Sequence, residues 1–174
     1  MCKRFWVSFC SGFTPWNTRK ANSTGFTLVE LLLVVALIGL LSTFAIYSIT
    51  TARMRSRDTR RVNDISQIRN GLDLYFGSHN SYPVTSGSVV LGGASASVLS
   101  DSGFAAQSSG TLYMGNIPAN MRPGGADYIY YSTSIDGLAC TVGSCANYII
   151  TFSLEGGINR LSPGAHTADN GSIL

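Results

Sequence analysis

The sequence predicts an α+β protein in which one long N-terminal helix packs on a small antiparallel β-sheet. Three observations predict this fold class. Residues 26–49 form a nearly uninterrupted apolar run, residues 50–77 continue it with apolar side chains spaced three and four apart, and the C-terminal part contains β-branched and aromatic stretches. The 174 residues provide for one modest globular domain beside such a helix, and not for two full domains.

A basic leader, residues 1–25, precedes the apolar run. It contains Lys3, Arg4, Arg19 and Lys20 and no acidic residue, so it accounts for more than the whole formal net charge of +3. If this leader is removed, the remaining chain is close to neutral. We therefore expect no nucleic-acid partner, because the whole-chain charge does not describe the surface that remains.

The apolar segment, residues 26–49, is long enough to cross a bilayer. At about 1.5 Å per residue, a helix of its 24 residues extends about 36 Å, against a hydrocarbon core of about 30 Å. A signal peptide normally has an apolar region of about 7–15 residues with a small-residue cleavage site behind it, and no such site follows here. Taken alone, the segment is equally compatible with a plain uncleaved membrane anchor.

Glu30 is the single charge in the apolar segment. A carboxylate inside an apolar helix costs up to about 3 kcal/mol at the bilayer centre and less near an end, so it normally has a partner. No lysine, arginine or histidine occurs between Phe26 and Ala52. Cleavage between Gly25 and Phe26 would create an α-amino group, and Glu30 of one subunit would pair with the Phe26 amine of its neighbour in a filament.

Residues 20–35, KANSTGFTLVELLLVV, resemble the processing site of type IV prepilins and type II secretion pseudopilins. That motif has a glycine, an N-terminal phenylalanine and a glutamate at the fifth mature position, here Gly25, Phe26 and Glu30. The resemblance implies cleavage after Gly25 by a membrane prepilin peptidase on the cytoplasmic side, followed by N-methylation of Phe26. It also implies a pilin-like fold, self-assembly into a homopolymer or mixed filament, and dependence on an inner-membrane assembly platform with its ATPase.

The predicted helix continues beyond the apolar segment. No proline occurs between Trp16 and Tyr82, and turn-forming residues cluster only from Gly77 onward. Residues 50–77 therefore read as an amphipathic continuation whose apolar stripe covers the globular domain. The stripe consists of Val62, Ile65, Ile68, Leu72, Tyr75 and Phe76.

Residues 60–84 add to the family resemblance. They are similar to the corresponding part of the major pseudopilin of type II secretion, protein G, in which an amphipathic helix ends in a Tyr-Pro step, here Tyr82-Pro83. One departure is that no proline follows the apolar half of the helix, where many members of the family have one. The sequence therefore leaves open whether the helix melts at that point in a filament.

Six arginines follow the apolar segment. We interpret them as a solvated helix face near lipid headgroups, with contacts to acidic groups of a neighbouring subunit as the alternative. DNA binding is a third alternative, against which stands the lack of aromatic residues between the arginines. They also balance the charge of the leader, so charge counting does not decide the orientation. We expect a single-pass inner-membrane protein with the leader in the cytoplasm and the C-terminal domain outside, because the processing motif implies it. The arginines are Arg53, Arg55, Arg57, Arg60, Arg61 and Arg69.

The globular domain is expected over residues 78–174. Residues 77–126 are rich in Gly, Ser and Ala and read as a long surface loop, with residues 89–91 as the only strand-like core. Beyond this loop, three strands at residues 128–131, 147–154 and 158–161 would form an antiparallel meander that the helix stripe covers.

Cys140 and Cys145 flank four residues between the first two of these strands, and outside the cytoplasm a disulfide is the favoured interpretation. The resemblance to protein G also raises calcium binding. The candidates match no calcium-ligand pattern, so we expect no cofactor. They are Asp127, Asp136, Asp169 and Asn170.

No catalytic constellation is present in the sequence. His79 and His166 stand near no nucleophile motif, and we expect both to be exposed loop residues of a protein that is not an enzyme. The preferred function is a structural subunit of a type II secretion pseudopilus. The alternatives are a major or minor subunit of a type IV surface pilus and a membrane-anchored binding module that does not polymerise.

Overall fold

One helix, α1 (Leu28–His79), dominates the computed structural model, which describes residues 25–158 and 160–174. The basic leader, apart from Gly25, lies outside the described residues. Two compact units divide the chain, one ending at Ser42 and the other comprising Thr43–Leu174. The helix begins two residues later than Phe26 and extends two residues past residue 77, where the prediction ended it.

The predicted apolar stripe is confirmed. Ile65, Ile68, Leu72 and Tyr75 are buried in the core of the second unit, and Val62 and Phe76 pack against that core. These positions recur every three or four residues, so they share one side of a helix with 3.6 residues per turn. Burial of this side holds the second half of the helix against the sheets.

Seven short strands follow the helix. In chain order they are β1 (Val89–Val90), β2 (Val98–Ser100), β3 (Gly103–Ala105), β4 (Leu112–Met114), β5 (Ile129–Thr133), β6 (Asn147–Leu154) and β7 (Gly164–Ala168). They form a four-stranded antiparallel sheet in the order β1-β5-β6-β7 and a three-stranded antiparallel sheet in the order β3-β2-β4. The predicted α+β, pilin-like class is therefore confirmed.

Strand β6 shows why the main sheet forms. Its burial alternates strictly, with Tyr148, Ile150, Phe152 and Leu154 in the core and the residues between them half-buried. A strand turns successive side chains to opposite faces, so this alternation gives the sheet one apolar face. Tyr130 of the neighbouring strand β5 extends this face, and the helix stripe covers it.

The expectation of a long surface loop over residues 77–126 is wrong except at its strand-like core, residues 89–91, where β1 lies. This region contains β1 and the whole three-stranded sheet, and it buries Leu91, Ala96, Leu99 and Ile117. Its strands have only two or three residues each, too few to show a periodic pattern in the sequence. Contacts with the rest of the domain stabilise them. The apolar residues were too few and too widely spaced to give a strand pattern.

The third strand of the meander was also placed too early. Ile158 and Leu161 pair with each other across a tight turn, and the strand that pairs with β6 is β7. Gly157 in that turn has φ of +73°, and a Cβ there would lie 2.6 Å from the Leu161 carbonyl oxygen, so the turn requires glycine. The chain therefore completes this turn before it forms β7, the strand that pairs with β6.

Candidate processing and assembly site

The predicted cleavage site lies just in front of the helix. Gly25, Phe26 and Thr27 have no regular secondary structure, and the Phe26 side chain is 76 % exposed. Backbone outside a helix has carbonyl and N–H groups free of the helical hydrogen bonds. The Gly25–Phe26 peptide bond is therefore accessible to a peptidase in this conformation.

Thr27 caps the helix that follows. Its hydroxyl oxygen accepts a hydrogen bond from the Glu30 N–H at 3.2 Å, and its carbonyl oxygen accepts one from the Leu31 N–H at 3.2 Å. The Thr27 hydroxyl also donates to Oε2 of Glu30 at 3.4 Å. Thr-x-x-Glu is the capping-box pattern. This role of Thr27 was not predicted, although its spacing from Glu30 carried the signal.

Glu30 thus has a polar partner but no counter-charge. A hydroxyl group can share a hydrogen bond with a carboxylate without neutralising it. Among the described residues Glu30 makes no ion pair, and the Phe26 nitrogen is part of a peptide bond in the uncleaved chain. Negative charge in the first turn also suits the positive end of the helix macrodipole.

The apolar segment presents a large exposed apolar surface. Every residue from 25 to 50 is exposed in the structure, including Phe26, Leu28, Leu41 and Phe44, whose exposed fractions are 65–76 %. Soluble monomers rarely expose contiguous apolar patches of more than a few hundred Å². By its length and composition, the helix could cross a membrane.

The interpretation of the arginines as one solvated face is wrong for Arg57 and Arg61. Arg61 is 1 % exposed and donates to Oδ1 of Asp58 at 2.8 Å and to Oε1 of Glu155 at 2.6 Å. Its Nε donates to Oδ1 of Asn120 at 2.9 Å. Arg57 pairs with the other oxygen of Glu155. Two helix arginines are therefore internal counter-ions of the domain.

Asp58 completes this ion-pair network, which we define as Arg57, Asp58, Arg61 and Glu155. The Asp58 carboxylate accepts the N–H of Glu155 at 2.9 Å and that of Gly156 at 2.7 Å. Hydrogen bonds from Arg57, and then from Arg61, lower the pKa of Glu155 to about 2. The network ties the turn after β6 to the helix, so it fixes how the helix lies on its own domain.

The other four arginines differ from this pair. Arg53, Arg55 and Arg60 are exposed, and their side chains make no hydrogen bond or ion pair in the part of the chain that the structure describes. Arg69 is half-buried and donates weakly to the Asn170 carbonyl at 3.4 Å. Only the three exposed arginines fit the predicted solvated face.

The predicted disulfide between Cys140 and Cys145 is confirmed, with an S–S distance of 2.02 Å. It closes the hairpin between β5 and β6. Cys145 is fully buried, and its carbonyl accepts a hydrogen bond from the Tyr82 N–H at 2.9 Å. The bond therefore joins the hairpin to the chain segment that leaves the helix.

Neither histidine lies in the loop that the sequence suggested. His79 is the last residue of α1, and its ring stacks on Tyr75 with centroids 4.1 Å apart. His166 lies on β7 and is half-buried, with Nε2 at 2.7 Å from the Ser162 carbonyl oxygen. Both rings are thus engaged in packing or local hydrogen bonds.

The four calcium candidates do not form a cation cage. Oδ1 of Asp169 accepts the N–H groups of Gly171 and Ser172, and the Asn170 amide donates to Asn147. Among residues 25–158 and 160–174 no three carboxylate, imidazole or thiol side chains come together. The Asp127 carboxylate lies 3.6 Å from the Arg122 guanidinium, and Asp136 is exposed in the disulfide hairpin. The residues present do not fit calcium, and no step below depends on it.

The long helix and the antiparallel sheets on which its second half packs form a pilin-like architecture. Residues 20–46 match the family described as the prokaryotic N-terminal methylation motif. This match contains the Gly25–Phe26 bond, Thr27 and Glu30.

Within that class the chain is similar to Type II secretion system core protein G. It is 30 % identical to the Aeromonas hydrophila protein over 67 residues, which cover 38 % of this chain and 47 % of the relative. The Vibrio cholerae protein is 34 % identical over 67 residues, 38 % of this chain and 46 % of the relative. The Escherichia coli K12 protein is 31 % identical over 61 residues, 35 % of this chain and 42 % of the relative.

The chain thus spans less than half the length of each of these curated relatives. No solved structure matches it.

Proposed function

We propose that this chain is a prepilin that is processed and then polymerises into a type II secretion pseudopilus. One observation carries the proposal: the N-terminal methylation motif coincides with an exposed Gly25–Phe26 bond in front of a capped apolar helix. The similarity to Type II secretion system core protein G supports the choice of secretion system. The function is structural, and we propose no catalytic role.

Processing comes first in the proposed mechanism. The leader remains in the cytoplasm, and a prepilin peptidase hydrolyses the bond after Gly25. The α-amino group of Phe26 is then methylated, and the secondary amine stays protonated at neutral pH. Cleavage therefore supplies the positive charge that the apolar segment lacks.

Assembly follows from two features of the helix: its apolar side chains are exposed, and the Glu30 carboxylate has no counter-charge. Its exposed apolar side chains pack against those of neighbouring subunits, which removes them from lipid and water. The Glu30 carboxylate of one subunit pairs with the Phe26 amine of the next, because an unpaired charge in lipid is costly. This pair would set the axial register, and an assembly ATPase acting on the inner-membrane platform would supply the work.

The orientation rests on the disulfide as well as on the motif. Disulfides such as Cys140–Cys145 persist in oxidising compartments and are rare in the cytosol. A C-terminal domain outside the inner membrane is consistent with this bond. The leader then lies in the cytoplasm, where the peptidase would act.

The mass of the N-terminal peptide tests the processing step. We would co-express the full chain with a prepilin peptidase, isolate membranes and measure the N-terminal peptide by mass spectrometry. The expected peptide begins at Phe26 and carries one additional methyl group. A peptide that begins at Met1 would falsify the proposal.

Glu30→Gln tests the assembly step separately. Glutamine keeps the size of the side chain and its capping-box role but removes the charge. We expect normal cleavage of this variant and strongly reduced filament formation, measured by shearing and electron microscopy. Filaments of normal yield and register would contradict the pairing of Glu30 with the amine.

A type IV surface pilus is the second candidate. It is favoured by the limited extent of the similarity, since more than half of each protein G relative is not matched. Genes for a secretin beside this one would support the pseudopilus, and a retraction ATPase gene would support the surface pilus. A binding module that does not polymerise predicts an uncleaved N-terminus and full tolerance of Glu30→Ala.

A further inference from the structure

Three arginines of α1 are exposed and unpaired. Arg53, Arg55 and Arg60 make no side-chain hydrogen bond or ion pair within the described residues, whereas the neighbouring Arg57 and Arg61 are paired inside the domain. A guanidinium group presents five N–H donors in a planar fork that suits phosphate and carboxylate groups. The unpaired arginines therefore offer binding capacity that the folded domain does not use.

The three arginines lie at different distances from the apolar segment, with Arg53 and Arg55 close to it and Arg60 farther away. At about 1.5 Å per residue, Arg53 lies about 6 Å and Arg55 about 9 Å along the helix beyond Ile49, the last residue of the apolar segment. The headgroup layer of one leaflet is about 5–7 Å thick, and arginine side chains extend several ångströms toward it. Arg60 lies about 16 Å beyond Ile49, outside this layer.

Arg55 also borders two clefts in the second unit. One is an open groove along a single side of the helix from Arg55 to Tyr47, a residue that is 74 % exposed. The other, of about 490 Å³, lies between Arg55, Thr59 and the glycine turn after β6. Tyrosine is enriched where a helix leaves the bilayer, so the first cleft joins an interfacial aromatic ring to a cationic group.

The domain has few free carboxylates that could pair with these arginines in another copy of the chain. Outside the apolar segment, most described acidic residues have hydrogen bonds or ion pairs, and only Asp73 and Asp136 have neither. A second copy of the chain would therefore offer few free carboxylates. A leaflet that contains anionic phospholipids offers a phosphate at every headgroup.

Because they are two residues apart, Arg53 and Arg55 project from opposite sides of α1. We infer that the two form a binding surface around the helix for the phosphate groups of anionic phospholipid headgroups, with each arginine contacting lipids on its own side. The surface would hold the unassembled subunit at one depth, with Tyr47 at the interface and the globular domain outside the headgroup layer. This inference rests on the proposed membrane anchoring. It also explains why arginines that run against the positive-inside rule follow the apolar segment directly.

Lipid selectivity in a reconstituted bilayer tests the inference. We would reconstitute the full chain in phosphatidylcholine vesicles with a trace of spin-labelled phosphatidylglycerol or phosphatidylcholine. Electron paramagnetic resonance then measures the motionally restricted fraction of each labelled lipid. We expect the protein to favour phosphatidylglycerol by about fivefold for each engaged arginine, which corresponds to about 1 kcal/mol each.

Two matched variants identify the groups involved. The double variant Arg53→Gln/Arg55→Gln should reduce the preference to near unity, and Arg60→Gln should leave it unchanged although it removes the same charge. Equal loss in both variants would indicate general electrostatic attraction and overturn the assignment. Glutamine keeps a long polar side chain with good helix propensity, so folding is not expected to suffer.

The remaining outcomes distinguish this inference from the proposed function. If neither lipid shows a restricted fraction, the helix does not span the bilayer, and both proposals fail. If both lipids are restricted equally, the chain is anchored but the headgroup surface is absent. Loss of the preference in inorganic phosphate, but not in chloride of equal ionic strength, would assign the site to free phosphate and overturn the inference.

If Arg53 and Arg55 instead mediate a contact between two copies of the chain, the experiments give a different result. Chemical cross-linking of the full chain in detergent would then decrease in Arg53→Gln/Arg55→Gln, while the preference for phosphatidylglycerol persisted. That combination would also overturn the inference. We expect the reverse, with cross-linking unchanged and the lipid preference lost.

Discussion

Nη2 of Arg61 donates a hydrogen bond to Oε1 of Glu155 at 2.6 Å across a sequence separation of 94 residues. The same guanidinium group donates from Nη1 to Asp58, one turn earlier on the helix. One side chain thus joins the helix to the turn that follows the longest strand.

Removal of Arg61 should strongly destabilise the domain. In Arg61→Met the carboxylate of Asp58, which is fully buried, loses its charged partner. Loss of one member of a buried ion pair costs about 3–5 kcal/mol, because the other charge is left buried and unpaired. Urea unfolding of the full chain in detergent, followed by near-ultraviolet circular dichroism, measures the change in the free energy of unfolding.

Arg60→Met is the matched control for this measurement. Arg60 is exposed on the adjacent position of the helix, and its replacement should change the free energy of unfolding by no more than about 0.5 kcal/mol. Equal effects of the two substitutions would mean that the network does not stabilise the domain.

The stability of the domain should fall in acid because of Glu155. Its pKa is lowered from 4.5 to about 2, chiefly by the hydrogen bond from Arg57. A lowered pKa in the folded state stabilises the protein above the unfolded pKa, and that contribution is lost as the pH falls from about 4.5 toward about 2. Urea midpoints measured through this range should decrease, and those of Glu155→Gln should decrease less steeply. Parallel pH profiles would exclude Glu155 as a cause.

Loss of the disulfide should destabilise the hairpin between β5 and β6. In the chain-entropy account, a loop as short as that between Cys140 and Cys145 contributes about 2 kcal/mol. Thermal unfolding of Cys140→Ser/Cys145→Ser should show this loss, and a reducing agent should reproduce it in the unmodified chain only. If the reducing agent lowers the stability of the double variant as well, the effect does not arise from this bond.

Thr27→Ala separates helix capping from charge pairing. It removes the hydroxyl that accepts the Glu30 N–H, at a cost of about 1 kcal/mol to the helix start, but leaves the Glu30 charge in place. Hydrogen exchange of the first helical turn should accelerate, while filament yield stays close to normal. The opposite pattern is expected for Glu30→Gln. A filament defect in Thr27→Ala as large as in Glu30→Gln would mean that capping, and not charge, limits assembly.

The sequence was sufficient to predict elements whose residues follow a clear local pattern. Helix α1 was predictable because Ile65, Ile68 and Leu72 repeat at helical spacing with no proline between them, and the β-branched and aromatic residues of β6 predicted its bounds, Asn147–Leu154. The processing motif was equally clear, since it depends on adjacent residues.

Elements that depend on distant partners were not predictable in this way. Strands β2 to β4 have three residues each, too few to show a period, and the burial of Leu99 depends on the helix and strands around it. Strand β7 contains two alanines and a glycine, which have low strand propensity, so its pairing with β6 alone defines it. Arg61 looked like a surface residue because its partner Glu155 lies far along the chain.

The cap at Thr27 bears on the energetics of the cleaved chain. Since α1 starts so soon after Gly25, the terminus that the peptidase would create lies within one turn of the positive end of the helix macrodipole. An ammonium group there is repelled by the aligned peptide N–H groups, while the carboxylate on its own chain is already engaged by the cap. A solitary cleaved subunit would thus carry an electrostatic penalty that a second copy relieves. Hydrolysis would then determine when subunits begin to attract one another, so that uncut chains stay dispersed in the membrane.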